Sequence, residues 1–205
     1  MNFEEKRDFF EINIDNAQTA FDNSNPLHLE IGSGRGEFIY NKALQNPNVN
    51  FFAVDVKEKR IKTIIRRLDE NLHKNVKVIK VFIDSETIKK FPKDKIEKIY
   101  LLFPDPWPKK KHHRRRIIQS NFIDNLNILL KVNGVLEITT DHQGYAMWIK
   151  EHFDERNDFE PIYKEKYLRN PQKNHIITYF EEKKRAEGYI PYYFFYKKIK
   201  NLEEL

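Results

Sequence analysis

Most of the residue types in this chain that could do chemistry are gathered in positions 99–116, IYLLFPDPWPKKKHHRRR. Asp105 stands between Pro104 and Pro106, and Trp107 is followed by Pro108. Proline fixes φ and lacks an N–H, so 103–108 cannot continue a helix or a central strand, and Asp105 and Trp107 must ride on a stiff loop. The apolar run before it reads as a strand, and open α/β sheets hold their ligands at the ends of strands. Lys109, Lys110, Lys111, Arg114, Arg115 and Arg116 then place six positive charges in eight positions. The chain has 37 Lys and Arg against 31 Asp and Glu, a net charge of +6, which equals this one run. Such a run either contacts phosphates, giving salt-dependent affinity with little sequence choice, or forms a solvated face. His112 and His113 belong with it, and Trp107 either stacks a base or simply packs.

A second constellation lies in LHLEIGSGRGEF, residues 27–38. Gly32, Gly34 and Gly36 let the backbone approach a ligand and aim helix N–H groups at it, although a tight strand-to-helix turn needs small residues too. The spacing is G-x-G-x-G, and Glu37 opens the helix where a dinucleotide pyrophosphate would prefer no acid. Asp55 and Asp84 end the next two strands. Asp55 is placed to accept from ribose hydroxyls. Asp84 either meets an adenine amine or caps the following helix. Glu30, a carboxylate inside an apolar strand, needs a partner to be tolerated there. Acids at successive strand ends around a glycine turn describe a pocket for a nucleoside that also carries a cation. S-adenosylmethionine has both parts, with its ammonium or sulfonium beside Glu30. The seven histidines show no H-x-x-x-H spacing and cysteine is absent, so no metal site is expected.

The elements that must position these residues alternate. Strands are expected at 27–31, 50–56, 76–83, 98–103, 134–139, 159–163 and 191–198. Helices are expected at 36–45, 57–72, 86–91, 115–130 and 144–153, following apolar spacings such as 61, 64, 65, 68 and 72. This alternation predicts a mostly parallel sheet covered on both faces. The chain, 205 residues, suits one α/β domain (1–205), with 1–26 a segment of unassigned order. Two late sites have structural readings as well. Asp141 sits where a helix N-cap belongs, and Thr178-x-x-Glu181 reads as a capping box closed by Gly188. The first residues carry mixed charge without the apolar core of a secretory signal, and no run is long enough to span a membrane, so a cytoplasmic protein is expected.

These residues resemble the bacterial tRNA (guanine-N7-)-methyltransferases. The likeness rests on LEIGSGRGEF (29–38), IYLLFPDPWPKKKHHRRR (99–116), ITTDH (138–142) and ITYFEEK (177–183), and spans roughly residues 27 to 198. It implies a Rossmann-like class I methyltransferase fold, a single doubly wound seven-stranded sheet whose last strand is antiparallel. It implies S-adenosylmethionine contacts at Glu30, Asp55, Asp84 and Asp105 around the glycine turn. Substrate contacts are implied at Lys109, Asp141, Thr178, Tyr179, Phe180 and Glu181. The implied partner is tRNA, the product 7-methylguanosine in its variable loop, and the protein a monomer or homodimer. Two departures stand out: only 26 residues precede the first strand, where many relatives have a longer arm, and Asp55 replaces a frequent Glu. Two rivals are an exocyclic-amine methyltransferase, whose D-P-P-W loop is close to PDPW, and an RNA-binding protein without catalysis. A nicotinamide oxidoreductase is disfavoured by the glycine spacing.

Overall fold

The computed structural model describes residues 1–202. Seven strands form one sheet: β1 (Leu27–Ile31), β2 (Asn50–Asp55), β3 (Val76–Lys80), β4 (Ile96–Leu102), β5 (Leu130–Thr140), β6 (Phe159–Pro161) and β7 (Tyr192–Lys198). Their spatial order is β3-β2-β1-β4-β5-β7-β6. Neighbours pair in parallel except at β7, which runs antiparallel to both β5 and β6. The expected seven-stranded sheet with a reversed last strand is therefore present.

Helices α1 (Phe3–Phe10), α2 (Glu37–Gln45) and α3 (Glu58–Arg67) cover one face, and α4 (Ser120–Leu129) and α5 (Gln143–Asp154) the other. A sixth helix, α6 (Tyr179–Ala186), precedes β7. All six residues of β2 are buried, as a strand covered on both faces requires. The N-terminal residues form α1, with Asn2 and Glu5 closing a capping box and Phe10 fully buried.

Several boundaries differ from the expectation for local reasons. Helix α3 stops at Arg67 because Leu68 leaves helical geometry and the Asp69 carboxylate accepts the N–H groups of Asn71 and Leu72 in a turn. Residues Lys110–Arg115 form a separate 3-10 turn, so α4 begins only at Ser120. Strand β3 ends at Lys80, and 81–83 are irregular, with Val81 N donating to Asp55 O at 3.2 Å. Helix α4 passes into β5 at Leu130 with no loop.

Gly32, Gly34 and Gly36 all have positive φ (+79°, +56° and +72°), which glycine adopts without a side-chain clash. At Gly36 a Cβ would also meet Ile64 of α3 at 3.1 Å, so that glycine sets the packing of α2 on α3.

Candidate active site

A cleft of about 710 Å³ opens at the C-terminal ends of β1, β2 and β4. Its floor and one wall include Glu30, Gly32, Gly34, Asp55 and Phe82; Asp105, Trp107 and Arg115 lie on the loop after β4; Thr178, Tyr179, Phe180 and Lys183 come from α6 and its cap. Among the predicted residues, Glu30, Gly32, Gly34, Asp55, Asp105, Arg115, Thr178, Tyr179 and Phe180 thus meet in one cavity.

Glu30 is 3% exposed, and its Oε2 is buried without any hydrogen-bond partner. Burial pushes its carboxyl up to about 8; the Ser33 hydroxyl opposes that shift and the charge of Asp55 adds to it. A buried, partnerless carboxyl oxygen on a residue that lines the cavity fits a cationic ligand group, which would favour its ionised form. Asp55 ties the glycine turn together: its Oδ2 accepts from Gly34 N at 3.0 Å and its Oδ1 from Lys57 N at 2.9 Å. A carboxylate has about four acceptor sites, so two remain for ribose hydroxyls. Val56 and Phe82 (64% exposed) present apolar surface beside it, suited to a flat purine ring. The residues present therefore fit a nucleoside bearing a cation.

Asp84 does not line this cavity. Its Oδ1 accepts from the backbone of Glu86 and Thr87 and from the Thr87 hydroxyl, which holds the carboxyl below its usual range. It is not the N-cap either, since Glu86 holds that position before the 3-10 turn Thr87–Lys90; the Asp84 side chain closes the turn leading into it. Gly36 likewise turns toward Ile64 instead of the cavity.

The loop after β4 turns through two bulky residues in the left-handed region, Phe103 (φ +51°) and Trp107 (φ +42°). Such strain costs about 1–3 kcal/mol per residue and gathers at functional sites. Phe103 is held by its N–H to Thr139 O at 2.8 Å, and its ring lies 5.0 Å from that of Phe180 across the cleft. Asp105 is exposed to the cleft and has no hydrogen bond or ion pair among the described residues. Arg115 stacks on Trp107, its guanidinium carbon 4.9 Å from the ring centre. Lys109, Lys110, Lys111 and Arg114 are exposed on the adjoining turn, outside the cavity wall. Arg116 departs from the expectation of a phosphate contact: it is 3% exposed, and its Nε donates to Pro106 O at 2.9 Å.

Helix α6 supplies the opposite wall. Thr178 caps it, its hydroxyl accepting from Glu181 N at 3.3 Å. The reciprocal half of the box is not made. Glu181 is fully buried, with Oε2 2.6 Å from His175 Nε2 and Oε1 accepting from Arg185 Nε at 2.9 Å and from the Tyr193 hydroxyl. Burial alone would raise its carboxyl; the His175 and Tyr193 bonds outweigh that and lower it. With both oxygens engaged away from the cavity, Glu181 anchors α6 to β7, in place of the substrate contact that was expected. Asp141 is not the α5 cap either. His142 takes that position, its Nδ1 accepting from Tyr145 N at 3.1 Å, and Asp141 lies 4.0 Å from Lys184 outside the cavity wall.

Several wall residues go beyond those expected from the sequence, among them Val56, Phe82, Lys183 and Glu37. Lys183 follows Tyr179 by one helical turn, a spacing that puts both on one face, and could have been found that way. Glu37 bridges the two sides: its Oε2 accepts from Tyr179 N at 2.9 Å, while Oε1 lies 3.5 Å from Arg67. Nothing local signals that contact, since its partners are 142 and 30 positions away. Among the described residues no group of three or more His, Cys, Asp or Glu is placed to hold a metal ion, and no helix is long and apolar enough to cross a membrane.

Comparison with known proteins agrees with this geometry. The family described as putative methyltransferase matches residues 24–192. The tRNA (guanine-N(7)-)-methyltransferase of Clostridium tetani is 37% identical over 170 residues, covering 82% of this chain and 79% of that protein. The enzymes of that name from Leptospira interrogans and Bacillus subtilis are 39% and 31% identical, over 80% and 83% of this chain and 75% and 79% of theirs. Among solved structures, an rRNA methylase from Streptococcus thermophilus superposes with a TM-score of 0.56 at 14% identity, covering 96% of this chain and 95% of that one. A putative methyltransferase from Streptococcus mutans in complex with SAH does so at 0.53 and 15%, covering 97% and 98%.

Proposed function

Because the chain belongs to the tRNA (guanine-N(7)-)-methyltransferase family, we propose that it transfers a methyl group from S-adenosylmethionine to N7 of a guanine in the tRNA variable loop, acting in the cytoplasm. One observation carries the reading: Glu30, with its partnerless buried carboxyl, and the proline-braced Asp105 line the same cleft. The bound donor supplies a methyl carbon made electron-poor by its sulfonium.

Glu30 holds the donor's ammonium end, Asp55 its ribose, and Val56 and Phe82 flank its purine. Guanine N7 offers a lone pair and no proton, so its attack needs no general base. What remains for the protein is alignment and charge. Asp105 orients the incoming base and offsets the positive charge that appears on the purine as the methyl group arrives. Lys183 and Arg115, on opposite walls, and the exposed cations of the 3-10 turn hold the polynucleotide by its phosphates.

Incubation of the purified protein with unmodified tRNA and labelled donor, followed by cleavage at 7-methylguanosine, tests the assignment. Label on a variable-loop guanine is expected, and label on an exocyclic amine or another nucleoside would overturn it. A calorimetric titration with the donor alone separates this enzyme from an RNA-binding protein, which would show no heat.

A further inference from the structure

We propose that Arg116 is a positioning residue for Asp105, holding the proline loop from beneath while its neighbours Arg114 and Arg115 face the polynucleotide. The inference rests on the role of Asp105 given above. Arg114 and Arg115 are exposed; Arg116, the last cation of the same run, is 3% exposed. Its guanidinium carbon lies 5.2 Å from the ring centre of Tyr145 and 4.9 Å from that of Trp148. Those rings are three positions apart on α5 and so share a face. The stack is fastened to the chain just after Arg116: Trp148 Nε1 donates to Ile118 O at 2.7 Å, and the Tyr145 hydroxyl accepts from Ile118 N at 3.4 Å. Gln119 Nε2 donates to Arg116 O at 3.2 Å.

From this seat Arg116 Nε reaches Pro106 O at 2.9 Å, the carbonyl next in the chain after Asp105. Among the described residues that is the one hydrogen bond made to positions 104–108. The loop needs such a hold. Its prolines donate nothing, Trp107 sits at φ +42°, and Asp105 itself has no protein partner. No carboxylate lies within ion-pair distance of Arg116 among the described residues, so aromatic faces and one carbonyl are what it is built around. A planar guanidinium can stack on rings while donating from its edge; an ammonium cannot do both.

That difference supplies the test. Lysine preserves a phosphate contact but not this stack. Arg116→Lys should lower kcat about ten- to a hundredfold at saturating donor and tRNA, the scale of a roughly 1 Å misplacement at the reacting centre. Donor affinity and the slope of log Kd for tRNA against log salt should stay at the wild-type values. Arg114→Gln, by contrast, should reduce that slope by about 1. Should Arg116→Lys fail to fold, Trp148→Leu removes one face of the stack while leaving the charge. It should lower kcat severalfold with an unchanged salt slope, and Trp107, then the sole tryptophan, should report a looser loop by red-shifted emission. The proposal is overturned if Arg116→Lys flattens the salt slope at near-normal kcat, or if Trp148→Leu leaves kcat unchanged. Wild-type protein that does not methylate guanine N7 would instead overturn the reading of the active site.

Discussion

Binding of the methyl donor should expel a proton from Glu30. Burial raises this carboxyl from 4.5 to about 8 in the ligand-free fold, so at pH 7 roughly one molecule in ten carries the carboxylate. A donor ammonium on the partnerless Oε2 favours the ionised form and pulls the carboxyl back into the acid range. Calorimetry at pH 7 in buffers of different protonation enthalpy should therefore show release of about 0.9 proton per donor bound. Affinity should rise roughly fivefold from pH 7 to 8 and about fiftyfold from pH 6 to 8. In Glu30→Gln the proton release should vanish and the affinity become flat in pH. The ligand-free protein responds in the opposite sense. A carboxyl raised on folding contributes stability that is complete below pH 4.5 and is lost as pH climbs to 8, a loss on the order of 5 kcal/mol. Glu30→Gln should then melt higher than wild type at pH 8 to 9. Donor binding without proton exchange, at an affinity constant between pH 6 and 8, would refute the placement of a cation at Glu30.

Asp105→Asn keeps the shape of the loop and removes its charge, and should cost about a hundredfold in kcat with donor affinity little changed; near-normal turnover at saturating donor and tRNA would remove Asp105 from the mechanism. Lys183→Gln should weaken tRNA binding and lower its salt slope by about 1 without altering the donor titration, and an unchanged slope would place this wall away from the polynucleotide. Tyr193→Phe and Glu181→Gln delete partners in one buried network and should each raise KM for tRNA, with the double variant hardly worse than either; fully additive losses would return Glu181 to direct contact with the base.

The sheet was legible because its strands are short apolar runs broken by glycine, acid and proline, and a period-two or fully buried run announces itself within five or six residues. The glycine turn and the stiff Asp105 loop were legible too, since φ > 0 and missing N–H groups are properties of the residues themselves. What sequence concealed was direction. Six cations between 109 and 116 look alike on paper, yet the chain buries Arg116 against α5 and leaves Arg115 on Trp107. Thr178 and Glu181 match a capping box, but His175 and Tyr193, brought in from the preceding loop and from β7, take the glutamate instead. At 141 and 142 two adjacent residues could both cap α5, and only the backbone geometry of the strand end decides for His142. The bond from Tyr179 N to Glu37 depends on where α6 docks, which no local pattern encodes.

Because β7 runs against its neighbours, it leaves the sheet at the edge remote from the cleft. There Lys198, buried, donates to Asn127 O, Leu130 O and Asp94. Asn127 then fastens the chain beyond it through Lys200 O and Leu202 N. A dye, affinity handle or surface tether attached at residues 199–202 would sit on the molecule's far pole, leaving the mouth unobstructed for a macromolecule as bulky as a folded nucleic acid.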